Sequence, residues 1–188
     1  MVDPRSARTR RSLQQALLEL AHDRPLDDIT IGDITDRAEV NRSSFYQHYA
    51  DKDALLADAL DAAIETTGAS LPEVIQPSAG PPHALVEYLA HIDANAALYR
   101  RALGDHGSPA VMARLRERIE QIIREVFGRS PDVIGFEGVP IGIVAAGIAG
   151  SALGVIEAWL HLEPRPPVDV AVDWLWRVLL GPGPGWEA

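Results

Sequence analysis

Asn41-Arg42-Ser43-Ser44-Phe45-Tyr46-Gln47-His48-Tyr49 is the stretch whose reading decides the fold. Asn41 is a strong helix N-cap, because its side-chain oxygen can accept from a backbone N–H of the first turn. Phe45 and Tyr49 stand four apart and share one helical face, the face that can enter a core. Arg42, Ser43, Ser44 and Gln47 are left pointing outward. A short helix with aromatic anchors behind and a polar row in front suits a DNA groove. Arg can take guanine by two hydrogen bonds and Gln can take adenine. Ser, Tyr and His can hold phosphate oxygens, and the helix N-terminus itself favours a phosphate.

The flanking sequence supplies the partners such a helix needs. Leu13, Leu17 and Leu20, with Ala16 and Ala21, mark one buried face of a helix over residues 9–23, which Pro25 ends. Thr30 followed by Asp33 reads as an approximate capping box opening a second, short helix with Ile31, Ile34 and Ala38 on its apolar side. Glu39-Val40 is the tight turn before Asn41. Two short helices joined by a three- to four-residue turn behind a packing helix make a helix-turn-helix. Asp51 opens a fourth helix to about residue 67, with Leu55, Leu56, Leu60 and Ile64 inside.

Beyond it, Leu71 to Pro82 holds four prolines and a glycine and reads as a loop and domain boundary. Helices are expected over 83–103, 109–127, 139–162 and 168–180, with a loop from Gly128 to Gly138 and the tail Gly181 to Gly185 outside any helix. No strand pattern or internal repeat is present. The fold class is therefore all-α: a helix-turn-helix domain over 1–50, a connecting helix over 51–70, and a larger helical domain over 71–188.

The formal net charge of −10 argues at first against nucleic acid, because phosphate contacts dominate DNA affinity. The distribution answers the objection. Arg5, Arg8, Arg10 and Arg11 form a basic arm, whereas residues from 54 onward carry nine Arg against seventeen Asp plus Glu. An acidic body behind a basic arm is repelled from the duplex and helps fix orientation. There is no cysteine, which excludes disulfides and thiolate zinc sites and suits a cytoplasmic protein. The six histidines are scattered without metal spacing, and no nucleophile elbow or phosphate loop is present, so neither a metal, a cofactor nor an enzyme is expected.

Thr30-Ile31-Gly32-Asp33-Ile34, the turn, Ser44 to Tyr49 and Asp51-Lys52-Asp53-Ala54-Leu55-Leu56 together resemble the DNA-binding domain of TetR-type transcriptional regulators. The resemblance covers residues 8 to 56. It implies a homodimer that binds a near-palindromic double-stranded DNA operator and usually represses transcription. It implies base contacts from Arg42, Ser43 and Gln47, and phosphate contacts from Thr30, Ser44, Tyr46, His48 and Lys52, the chain's single lysine. It also implies that the four arm arginines approach the minor groove. The sequence departs from the family at Glu39, where glycine is usual; a left-handed conformation there costs a non-glycine residue roughly 1 kcal/mol.

The run Val139 to Ile156 carries no charge and is long enough to span a membrane. Glu137 and Glu157 flank it, no Lys or Arg lies near, and Ala and Gly are weak drivers of insertion. No membrane is expected. The resemblance instead implies a four-helix dimer interface from helices 139–162 and 168–180, with Trp159, Trp174 and Trp176 as large packing residues. Tyr88, His91, Asn95 and Tyr99 follow one helical stripe and, with Trp159, form a candidate pocket for a small-molecule effector. The alternative is a regulator of the same family whose C-terminal domain takes a protein partner.

Overall fold

The computed structural model describes residues 4–70, 80–104, 107–128 and 138–180, and among these all regular structure is helical. The order is α1 (Pro4–Asp23), a single 3-10 turn (Leu26–Asp28), α2 (Ile31–Arg37), α3 (Arg42–His48), α4 (Lys52–Ala69), α5 (His83–Ala94), α6 (Ala96–Leu103), α7 (Pro109–Gly128), α8 (Ile141–Leu160) and α9 (Val168–Leu180). The expected loops at 71–82 and 128–138 and the tail 181–185 lie largely or wholly outside the described residues.

Helix α1 begins five residues earlier than its apolar spacing suggests. Pro4 occupies its first position, where the missing N–H costs nothing, and no breaker follows. The arginine arm is thus helical rather than an extended tail. The capping box at α2 is complete: Thr30 Oγ1 accepts from Asp33 N at 3.1 Å, and Thr30 N donates to Asp33 Oδ2 at 2.8 Å. Those two Thr30 bonds, with Arg24 beside them, hold the Asp33 carboxyl down to about 2. The turn closes as a Schellman motif. Val40 N donates to Thr35 O at 3.0 Å and Glu39 N to Asp36 O at 3.2 Å, with Glu39 left-handed at φ 55°. Asn41 Oδ1 then caps α3 by accepting from Ser44 N at 2.7 Å.

The stretch expected as one helix over 83–103 is two. At Asn95 the backbone leaves helical angles (φ −115°, ψ 28°), and its Nδ2 donates to His91 O at 2.8 Å. An Asn side chain that bonds its own preceding turn competes with helix propagation. Tyr88, His91, Asn95 and Tyr99 therefore do not share one continuous face.

In the C-terminal part, α7 packs on α4 and α8, α9 on α5 and α8, and α6 on α8. Trp159 is turned into this core, with its indole N–H donating to Pro166 O at 2.8 Å, which corrects the expectation that it packs at an exposed dimer face. Trp174 is 37% exposed and Trp176 half-buried. Helix α8 is the one helix long and apolar enough to cross a membrane among the described residues. Ala145, Ala149, Leu153 and Ile156 bury one of its faces, while Ala146, Gly147, Ser151, Gly154 and Ala158 lie on the exposed one.

Asp58 on α4 ties the two parts together and is buried. Its carboxylate accepts from Arg10 Nη2 at 2.5 Å and Gln14 Nε2 at 2.8 Å on α1, from Tyr49 Oη at 2.6 Å, and from Arg114 Nη2 at 2.9 Å on α7. Burial alone would raise this carboxyl. The hydrogen bonds from Arg10, Tyr49 and Gln14 outweigh it and hold the group below its ordinary value. A carboxyl depressed in the folded state contributes stability that is full above its unfolded pKa and is lost as pH falls through the folded one.

Three outcomes are expected in denaturant unfolding. Asp58→Ala strands Arg10 and Tyr49 and leaves Arg114 only Asp61; it should cost roughly 2–4 kcal/mol, less than for a fully enclosed pair because both arginines are half-exposed. Asp58→Asn should flatten the loss of stability below the ordinary carboxylate range; an unchanged acid limb would mean that another carboxyl carries it. Glu39→Gly should stabilise by about 1 kcal/mol, by relieving the left-handed residue.

Candidate nucleic-acid interface

Helix α3 is held from behind. Phe45 is wholly buried and Tyr49 nearly so, and their rings meet at 5.8 Å. Burial and the adjacent Asp58 carboxylate push the Tyr49 phenol up, so it stays a hydrogen-bond donor. These contacts leave the opposite face to solvent: Arg42, Ser43, Tyr46 and Gln47 are exposed, Ser44 and His48 half-buried. Six of the sequence-derived DNA residues thus converge on one short helix. The Arg42 guanidinium lies 6.0 Å from the Tyr46 ring centroid, which limits its freedom before any base is met. Ser43 Oγ and Ser44 Oγ both donate to Asn41 Oδ1, at 2.7 and 2.9 Å, which orients them at the helix start.

The remaining DNA residues are more occupied than their positions suggest. Thr30 Oγ1 donates to Asp33 Oδ2 at 2.7 Å, within the capping box. Lys52 Nζ donates to Leu26 O at 2.6 Å and Ile29 O at 2.8 Å, so two of its three N–H groups brace the turn between α1 and α2. Arg10 is withdrawn from the arm, because its guanidinium is spent on Asp58. Arg5, Arg8 and Arg11 remain exposed on α1. A partner 48 residues distant, as Asp58 is from Arg10, leaves no local trace in sequence.

Two of the spaces in or beside the C-terminal part are lined by candidate pocket residues. A partly open apolar cavity of about 110 Å³ has walls that include Ile64 and Thr67 of α4, Tyr88 of α5, Ile122 of α7, Ile156 of α8 and Leu179 of α9. An open groove of about 610 Å³ runs between α1, α4 and α5 and includes His91. Tyr88 and His91 stack at 6.5 Å and His91 meets Tyr99 edge-on at 5.8 Å, so three of the five candidate pocket residues do come together. Only Tyr88 and His91 line either space. Asn95 sits at the helix break, and Tyr99 and Trp159 are packed into the core.

Residues 14–59 match the family described as bacterial regulatory proteins, tetR family. The uncharacterized HTH-type transcriptional regulator YxbF of Bacillus subtilis (strain 168) is 46% identical over 56 residues, 29% of this chain and 15% of that protein. The chain therefore aligns with only a small part of this relative's length. Among solved structures, a TetR transcriptional regulator from Streptococcus agalactiae 2603V is 21% identical with a TM-score of 0.59, covering 93% of this chain and 95% of that one. Thermus thermophilus FadR, a TetR-family transcriptional repressor in complex with lauroyl-CoA, is 18% identical with a TM-score of 0.58, covering 95% and 97%. Residues 14–59 thus match the DNA-binding part of the tetR family of bacterial regulatory proteins, and the all-α fold around them is shared with solved structures of regulators of that family.

Proposed function

We propose that this TetR-family transcriptional regulator is a repressor that binds a near-palindromic operator as a homodimer and is released by a small-molecule effector. The observation that carries the DNA reading is the exposed row Arg42, Ser43 and Gln47 on a helix fixed from behind by Phe45 and Tyr49. In this reading these three meet base edges, and Ser44, Tyr46 and His48 hold phosphates, joined by Thr30 and by the one N–H of Lys52 not taken by carbonyls. Arg5, Arg8 and Arg11 add positive potential along α1 near the duplex.

The dimer reading rests on α8 and α9. Ile143 is 66% and Val178 55% exposed, an apolar surface that a soluble monomer has little reason to show. Between them runs the small-residue face of α8, where a Cβ added at Gly147, Gly150 or Gly154 meets nothing within 4 Å. Small residues let two helices approach closely, and two such faces can pair about a two-fold axis. The apolar cavity supports the effector reading over a protein partner, because a space of about 110 Å³ between α4, α5, α7, α8 and α9 is sized for a small molecule and not a chain segment. FadR, with the same fold, binds lauroyl-CoA. Effector binding can shift operator affinity only through a difference in affinity between the two states, and α4, which runs from Lys52 beside the recognition helix to the cavity wall, is the shared element.

Selection from a random duplex library should enrich a two-fold-related motif with half-sites about 34 Å apart; no enrichment at moderate salt would sink the DNA reading. Arg42→Ala should cost about 1–3 kcal/mol on that site and relax one base position. Gly154→Arg should leave helicity and thermal unfolding near those of the parent, since the monomer has room, yet give a monomer in light scattering. A dimer of unchanged strength would move the interface elsewhere.

A further inference from the structure

We propose that Asn41 fixes Ser43 as a hydrogen-bond acceptor, so that Ser43 reads the amino group of adenine or cytosine and discriminates against the keto oxygen of guanine or thymine. This rests on the reading of Ser43 as a base contact and names the class of base it takes. Residues near the start of a recognition helix are the ones that reach base edges, and Ser43 is exposed in the first turn of α3.

Asn41 Oδ1 accepts from Ser44 N at 2.7 Å. A backbone N–H can only donate, so the side-chain atom that faces it is the amide oxygen and not the amide nitrogen. That oxygen can only accept. Ser43 Oγ lies 2.7 Å from it, and the Ser43 proton is therefore directed at Asn41. What Ser43 turns toward a groove is lone pairs. Ser44 Oγ is a third donor to the same oxygen, at 2.9 Å, whereas an amide oxygen has two lone pairs. In the proposed interface Ser44 holds a phosphate, whose oxygens accept only, so Ser44 has to turn its proton outward. Its departure leaves Asn41 Oδ1 with two donors for two lone pairs, both at 2.7 Å. Phosphate binding by Ser44 thus tightens the hold on Ser43.

A count of hydrogen bonds sets the size of the preference. Against an amino group, N6 of adenine or N4 of cytosine, the Ser43 hydroxyl makes two bonds, donating to Asn41 and accepting from the base. Against a keto oxygen, O6 of guanine or O4 of thymine, it makes one, because donating to the base means leaving Asn41. The difference is one net hydrogen bond, about fivefold in affinity. Arg42, its neighbour, has the opposite polarity, since a guanidinium only donates, and it therefore suits guanine. Gln47 carries both a donor and an acceptor and can turn its amide to suit either. Of the three base readers, Ser43 is the one whose polarity is set by a neighbouring side chain.

Competition binding of the full chain to its selected operator tests this. Ser43→Ala locates the base pair concerned, as the one whose preference it relaxes. A transition at that pair puts a keto oxygen where the amino group stood and should cost the parent about fivefold. Deleting the major-groove amino group alone, with purine for adenine or 2-pyrimidinone for cytosine, should cost the parent that factor beyond what it costs Ser43→Ala. Glycine is tolerated as an N-cap but offers no side-chain acceptor. Asn41→Gly therefore frees the Ser43 hydroxyl to donate and should remove the transition penalty at that pair alone. Asn41→Asp supplies an acceptor again and should keep the penalty, while its charge weakens binding to every sequence. If Asn41→Gly weakens all sequences alike and keeps the penalty, Asn41 is a helix cap only and its role here is overturned. If deleting the amino group costs the parent no more than Ser43→Ala, the amino assignment is overturned and Ser43 remains a base contact. If Ser43→Ala relaxes no position, the base-contact reading of Ser43 itself is overturned.

Discussion

A carboxylate taken out of water has to be satisfied from every side, and Asp58 meets that demand with groups from three other segments. Arg10 and Gln14 reach it from α1, Tyr49 from the end of α3 and Arg114 from α7. None of these can shift far without leaving a buried charge underpaired, which is a penalty of several kcal/mol. The recognition helix is therefore placed from behind. Tyr49 serves twice, as an apolar anchor beside Phe45 and as a hydrogen-bond donor to the carboxylate.

The same economy explains how an acidic chain presents a DNA-binding face. Part of the acid is paired with arginine within the fold: Asp27 meets Arg101, Asp61 meets Arg114 and Arg118, and Asp93 meets Arg165. Most of these pairs join elements far apart in sequence, and they spend arginines that would otherwise face solvent. Arg5, Arg8 and Arg11 on α1 and Arg42 on α3 are exposed, and in the proposed reading these few cations face the duplex. In that reading, binding through so small a set should depend only shallowly on salt, because the slope scales with the number of phosphate contacts, and repulsion of the acidic body would orient the docking.

The helix-turn-helix was legible because its signals are local. Asn41, the Thr30–Asp33 box and the four-residue spacing of Phe45 and Tyr49 each act within one or two turns, and each is found where expected. Glu39, out of place in a position that usually holds glycine, is the left-handed residue the departure implied. What was not legible depends on distant partners or on weak punctuation. Arg10 and Lys52 turn inward to groups 48 and 23–26 residues away. The break between α5 and α6 has neither Pro nor Gly, only Asn95. Helix α8 is apolar nearly all round, so its sequence does not say which face is buried, and Trp159 goes inward because Pro166 supplies its indole with an acceptor.

The most direct test of the account is a hydroxyl-radical footprint of the full chain on its selected operator. Two recognition helices held rigidly by the Asp58 joint in a symmetric pair should protect two equal patches, their centres about 34 Å apart, one turn of the duplex. A single patch, or uniform protection along the duplex, would contradict it.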